Sequence, residues 1–329
     1  MAQFVAGKEV LLRLSTDYRL DTVGKVTAVT VAGASSYLTV TMLEADDNGT
    51  GTTLANANVV LIIGSVHEEG VDRPGSVAYD VTKVTNYTQI FRNSLRISRT
   101  AQETRLRTKD AYNEAKREVL ELHSIEIEKA FMWGIATENT GTLPIRTTAG
   151  LIPFIKTYAA ANCNDYTLNT SYNGKTWLEN GQDWLDTMLA QIFQYGASER
   201  MGFCGYKALL GINQLAKSVG QWNFTAQSTD YGIKVVTWTT SFGVLHLKTH
   251  PLFSYESTNQ RSLVIFEPSR LKYRFVTDTM FKPDKSQSEG GNSGADAKQE
   301  EFLTEAGLEF HHAETCGYLN GLGSDNELV

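Results

Sequence analysis

Hydrophobic and polar positions alternate with a period of two over 24–31 (GKVTAVTV) and 37–42 (YLTVTM). Both stretches are rich in Val and Thr, and the GASS between them supplies a turn, so two strands are predicted. NVVLIIG at 58–64 is an unbroken apolar run, which predicts a strand buried on both faces. EADDNGTGTT (44–53) reads as a surface loop, and HEEGVDRPGS (67–76) has the Gly and Pro of a loop or hairpin tip. Residues 77–101, VAYDVTKVTNYTQIFRNSLRISRTA, are extended in character. The period then changes. Over 108–134, Ala111, Ala115, Val119, Leu122 and Ile125 recur at spacings of four and three, which places them on one face of a helix. Thr108 is positioned to cap its start and Gly134 to stop it. Glu114 with Arg117, and Arg117 with Glu121, are spaced for surface ion pairs. Each such pair is worth only ~0.2–0.5 kcal/mol, so packing of the apolar face must hold this long helix.

Beyond it, GLIPFIKTYAA is a short apolar segment and NCNDYTLNTSYNG (162–174) a polar loop. A second amphipathic helix is predicted at 184–196, with Leu185, Met188, Leu189 and Ile192 on one stripe and Gly196 at its end. A third is predicted at 206–219. Residues 233–250 read as two strands with Gly243 near the turn, and 262–268 and 271–278 as two more around Pro268-Ser269. The Gly/Ser/Asp-rich stretch 282–299 is predicted to be a mobile loop. EEFLTEAGLEFHHAETCGYLNGL (300–322) closes the chain with a strand. There is no internal repeat. The fold class is α+β, with strands drawn from both ends.

Composition narrows the class without naming a function. Of 329 residues, 41% are hydrophobic and 20% charged, which suits a globular core rather than a disordered chain. The net charge of −7 argues against a dedicated nucleic-acid surface. Three scattered cysteines, Cys163, Cys204 and Cys316, are no disulfide framework and fit a reducing compartment. The N-terminus lacks the features of a signal peptide, and no apolar run is long enough to span a bilayer, so no membrane partner is expected.

The closing stretch gathers the most chemistry-bearing side chains. On a strand, Phe302, Ala306, Leu308 and Phe310 share one face, and Glu305, Glu309 and His311 the other. Adjacent His311 and His312 then point oppositely and cannot ligate one metal together. Cys316 has no paired partner at zinc spacing. His312, continuing the apolar face, is most simply a hydrogen-bonded core or interface histidine. In the long helix, Glu118 and Glu121 have the wrong offset to His123 for a carboxylate-bridged metal. Cys163 and Cys204 lack a base that the sequence can place beside them, and small buried hydrophobes are the simpler reading. There is no phosphate loop, nucleophile elbow or HExxH. No catalytic residue, cofactor or metal is expected, and the residues point to a structural role.

Two stretches carry a family resemblance. Asn86, Thr88, Gln89, Ile90 and Phe91, then Ser98 and Thr100, precede the long helix in the manner of tailed-phage major capsid proteins of the Hong Kong 97 fold, in the branch of the long-headed podovirus capsids. Gly294, Asp296, Ala297, Lys298, Glu305, Leu308 and Glu309 are similar to that family's closing strands, and RTTAGLIPFI (146–155) resembles its turn after the helix. The resemblance spans roughly 66 to 322. It implies a spine helix and peripheral domain at 107–149, E-loop arms at 66–106, an axial domain at 150–259 and a return to the peripheral sheet at 260–329. Residues 1–65 form a β-rich segment or small added domain. Asp72, Arg73, Pro74 and Gly75 would be the E-loop tip and the assembly candidates. The implied function is a non-enzymatic subunit that assembles as hexamers and pentamers into an icosahedral virion shell, made in a bacterial cytoplasm. Its implied partners are portal, scaffold or decoration proteins, and non-specific double-stranded DNA in the lumen. The same fold also builds encapsulin-type protein cages. From another class, a thiol-dependent hydrolase using Cys316 and His312 is the weaker alternative.

Overall fold

The computed structural model describes residues 3–44, 57–70, 76, 83–103, 105–106, 109–219, 224–230, 233–284 and 297–327. They fall into two compact units, Met1–Lys83 and Val84–Val329. Among the described residues no helix is long and apolar enough to cross a membrane.

The first unit is an antiparallel sheet of β1 (Lys8–Leu14), β2 (Asp17–Thr30), β3 (Tyr37–Met42) and β4 (Val59–Ser65), in the order β3-β2-β1-β4. The first strand, KEVLLRL, lacks clean alternation, and the sequence reading did not place it although turns at Gly7 and Ser15-Thr16 flank it. Val10 and Val26 are fully buried. The expectation for 58–64 is corrected. β4 is an edge strand, and Val59, Val60, Leu61 and Ile63 are 41%, 36%, 56% and 48% exposed. The reason is that, among its described residues, the unit supplies no α-helix to lie over this strand and no strand but β1 to pair with it.

The second unit contains, in chain order, β5 (Gln89–Ser98), α1 (Ala111–Trp133), α2 (Leu151–Tyr158), β6 (Cys163–Asp165), α3 (Trp177–Ile192), β7 (Glu199–Cys204), α4 (Tyr206–Val219), β8 (Phe224–Asp230), β9 (Ile233–Thr239), β10 (Val244–Thr249), α5 (Pro251–Tyr255), β11 (Leu263–Phe266), β12 (Leu271–Lys282), β13 (Ala297–Phe310) and β14 (Gly317–Asn320). Two sheets organise it. One has three strands, β12-β13-β5, all antiparallel. The other has seven, β6-β14-β11-β7-β10-β9-β8, with parallel pairs β6/β14 and β7/β10. The 260–329 segment contributes to both: β12 and β13 enter the smaller sheet, β11 and β14 the larger. The expected loop at 282–299 yields its last three residues to β13, and 285–296 lie outside the described residues.

The long helix α1 is about 35 Å long at ~1.5 Å per residue. Thr108 lies outside the described residues. Asp110 takes the cap instead, its carboxylate accepting from Tyr112 N at 3.0 Å, and Gly134 closes the end by donating to Ala130 O at 2.8 Å. The buried stripe is also rotated from its expected place. Leu122 is 57% exposed, whereas its neighbour His123 is fully buried. Val119 is followed at i+3 by Leu122 and at i+4 by His123. The imidazole wins because the sheet offers it hydrogen-bond partners and the Phe302 ring, 6.2 Å away between centroids.

The closing strand β13 keeps the predicted alternation. Glu300, Phe302, Thr304, Ala306 and Leu308 are buried, and the odd-numbered residues face outward except for buried Gly307. Phe310 is half-buried and stacks on Phe154 of α2 at 4.3 Å rather than on α1. The strand ends there. His312 lies beyond it, exposed, with a left-handed backbone (φ 51°), so it does not extend the apolar face as expected.

The larger sheet has a core on each side. Over one face lie α3 and α4, burying Trp177, Trp184, Leu185, Leu189, Ile192, Ile212 and Leu215 against Leu245, Leu263, Ile265 and Leu319. Over the other, α2, Met132 and Phe253 cover Met201, Val264, Phe266 and Cys316. The helix predicted at 184–196 starts earlier, at Trp177, behind a capping box of Thr176 and Glu179, and ends at Ile192. The supposed loop 162–174 contains β6. Its polar side chains tie down an edge of the sheet: Asn162 donates to Cys316 O (2.8 Å), Trp184 Nε1 donates to Asn164 (3.0 Å) and Asn320 donates to Asp165 (2.8 Å).

Candidate functional site: a junction of three motifs

Parts of the two stretches that carried the resemblance, and of the turn at 146–155, meet at the C-terminal end of α1. Asn86, just before β5, donates through Nδ2 to Leu308 O (2.8 Å), Thr148 Oγ1 (3.2 Å) and Ala149 O (3.3 Å). Its Oδ1 accepts from Ala149 N at 2.7 Å. Gln89 Oε1 accepts from Thr148 N (3.1 Å), and Thr88 donates to Glu305 (3.3 Å). One amide therefore joins segments 62 and 222 residues away. Backbones pack closely here. A Cβ on Gly150 would lie 2.6 Å from Met132 C and 2.8 Å from Ala130 O, and one on Gly307 would lie 2.7 Å from Tyr87 O. Gly150 N also donates to Gly134 O at 2.7 Å, which locks the turn onto the helix end.

This junction makes no bond-breaking constellation. It is a clamp that sets how the extended segment at 84–88, the helix end and the closing strand depart from one point. Asn86→Ala should cost about 1–3 kcal/mol, because buried Thr148 and the Leu308 carbonyl lose their partners. Asn86→Asp should do no better, since a carboxylate cannot donate to those oxygens. Denaturant melts of the three proteins check this.

The other sequence candidates are dispersed. Asp72, Arg73, Pro74 and Gly75 lie outside the described residues. Glu309 on the outer face of β13 is bonded by Arg274, takes His311 Nε2 at 2.6 Å and has Lys272 at 4.0 Å. Hydrogen bonds from Arg274 and then His311 pull its carboxyl down to about 2. Glu301 repeats the pattern with Arg92 (2.5 Å) and Lys282 (3.7 Å). The acidic row of the closing strand is thus a ladder of ion pairs. Burial pushes all three thiols up, Cys204 to about 12, so none is poised as a thiolate nucleophile. Among the described residues, no three His, Cys, Asp or Glu side chains converge as a metal site.

Two buried polar groups escaped the sequence reading. His123 bridges α1 to the sheet. Arg200 of β7, 1% exposed, donates through Nη1 to Glu267 Oε2 at 2.7 Å and through Nη2 to Tyr195 O. Both residue types look like surface in a linear pattern.

β12 is an edge strand with Tyr273, Phe275, Val276 and Met280 exposed by 43%, 56%, 66% and 43%. Long apolar edges are ready templates for association.

Comparison with known proteins adds the following. The chain is 25% identical over 283 residues to the major capsid protein of Pseudomonas phage PaMx41, which covers 82% of this chain and 67% of the relative. Among solved structures, the capsid of an empty GTA particle superposes with a TM-score of 0.49 at 8% identity, covering 78% of this chain and 79% of the other. The holo-SrpI encapsulin complex of Synechococcus elongatus PCC 7942 gives 0.48 at 11%, covering 77% of each chain. The model of the SU10 major capsid protein family matches residues 16–323. With that match over almost its whole length, the chain belongs to the SU10 major capsid protein family.

Proposed function

We propose that this major capsid protein assembles as hexamers and pentamers into an icosahedral shell of the Hong Kong 97 type, which encloses phage double-stranded DNA and catalyses no reaction. The family match over 16–323 carries the reading. In it, α1 is the spine, the three-stranded sheet the core of the peripheral domain and the seven-stranded sheet the core of the axial domain. Residues 66–106 are the E-loop arms with their tip at Asp72–Gly75, and 1–65 are an added domain. The exposed strands β4 and β12 supply apolar edges of the kind that subunit contacts bury. Portal, scaffold or decoration proteins complete the particle. The enclosed DNA is held without sequence readout, in keeping with the net charge of −7.

Electron microscopy of the protein expressed alone, and with candidate scaffold proteins from its own genome, tests this. Closed shells built of five- and six-fold capsomers are expected. Only monomers or small open oligomers under every condition would refute it.

A further inference from the structure

Midway along α1, His123 is fully buried against the three-stranded sheet. Its Nδ1 lies 2.5 Å from Asn93 Oδ1 of β5, and its Nε2 lies 2.7 Å from Thr304 Oγ1 of β13. Asn93 uses its Nδ2 to donate to Glu126 at 3.0 Å, which leaves Oδ1 as the acceptor toward the imidazole. The ring proton must then sit on Nδ1, and Nε2 must accept the Thr304 hydroxyl. Thr304 Oγ1, its proton spent, accepts from Thr279 of β12 at 2.9 Å. The chain runs in one direction, Thr279 to Thr304 to His123 to Asn93 to Glu126. It ties the helix to all three strands.

Few charges face this ring. Glu126, reached through Asn93, is the one on its own helix. On β13, Glu300 of the same face is taken up by Tyr112 and by Lys298 at 3.1 Å. Lys116 of α1 lies over the Phe281 ring at 3.5 Å, and Asp278 of β12 is engaged by Tyr273 (3.3 Å) and Thr279 N (2.8 Å). Among the described residues, Glu126 is the charge that favours an imidazolium here.

We propose that His123 is a pH-sensitive pin: neutral, it holds α1 in register over the β12-β13-β5 sheet, and its protonation loosens the helix from the sheet. Protonated Nε2 becomes a donor and can no longer take the Thr304 hydroxyl, so Thr304 must turn its proton toward Thr279 and the direction of the chain on that side is reversed. Burial pushes the ring's proton affinity below its usual range, and Glu126 offsets this only partly. Such a base takes up a proton on unfolding. The stability it contributes is therefore complete above the unfolded value of about 6.5 and is lost as pH falls below it, until the folded ring titrates. The inference concerns the subunit's own fold and stands apart from the shell reading.

Denaturant unfolding of the full chain between pH 7 and 5 tests it, with wild type, His123→Asn and Glu126→Gln compared. This window lies above the range of the carboxyls that the fold holds low. Asparagine keeps a donor near the Nδ1 position and does not titrate. The wild-type unfolding constant should rise by up to about tenfold per pH unit from this one proton. His123→Asn should lose that increment, and since all other histidines are shared, the difference isolates the pin. Glu126→Gln should carry the loss to lower pH, because the charge that helps the imidazolium is gone. Equal slopes in wild type and His123→Asn would overturn the proposal. Should His123→Asn not fold, two readouts decide. An unchanged profile in Glu126→Gln, or nitrogen NMR showing the neutral proton on Nε2 rather than Nδ1, would each overturn it.

Discussion

Glu267→Gln should lower the stability of the subunit by about 3–5 kcal/mol, the cost of leaving a buried guanidinium without its counter-charge. Arg200 is 1% and Glu267 6% exposed; Arg200 is on β7, and Glu267 directly follows the neighbouring strand β11. The carboxylate also accepts from Ser269 Oγ at 2.6 Å and lies 3.4 Å from Arg270. Burial works against its charge, but the bonds from Ser269 and the Ala197 N–H, with the Arg200 guanidinium, hold its carboxyl below the usual range. Its contribution is therefore present above the unfolded value of about 4.3 and is lost as pH falls through and below it. Glutamine keeps the shape and loses the charge. Arg200 already has an unpartnered Nε and cannot reach water to compensate. Urea melts at pH 7 measure the loss. Arg200→Met combined with Glu267→Leu should recover part of it, because no buried charge is then left alone. A Glu267→Gln protein as stable as wild type would show that this pair is solvated in solution.

Leu308→Ala should cost about 2–5 kcal/mol, the range for truncating a buried aliphatic side chain and leaving a cavity. Leu308 is 9% exposed on the inner face of β13, opposite Tyr273, whose ring meets Phe131 of α1 at 5.9 Å. Glu309→Gln, one residue on, should leave the melting temperature at pH 7 nearly unchanged, since Glu309 belongs to the exposed ladder with Arg274 and His311. What small difference the glutamine variant shows should be present at neutral pH and fade in acid. Glu309 contributes above its unfolded value of about 4.3, and that contribution is lost as pH falls toward 2. Thermal melting of both variants, set beside particle counts by microscopy, separates fold from assembly. The reverse outcome, with Leu308→Ala tolerated and Glu309→Gln unfolded, would mean a strand register shifted by one residue, because such a slip exchanges the two faces.

Local periodicity in the chain is enough to set several of the elements. The alternation of β13, the α4 bounds at 206–219, the strands either side of Gly243 and the existence of α1 are all set by spacing that a reader of the chain can count. So was the family, because short motifs in a fixed order survive where overall identity does not. The tertiary structure alone decided what those motifs do. Asn86, Thr148 and Leu308 have no relation in the chain until the end of α1 brings them within hydrogen-bond reach. It also decided which stripe of α1 is buried. A periodicity of 3.6 allows Leu122 or His123, and only the partners on β5 and β13 favour the polar ring. The same holds for NVVLIIG, expected to be buried and found largely exposed, and for Arg200, a charged residue found buried. Hydrophobicity states what a side chain would prefer. Burial depends on which element arrives to cover it, and that is settled between segments far apart in the chain.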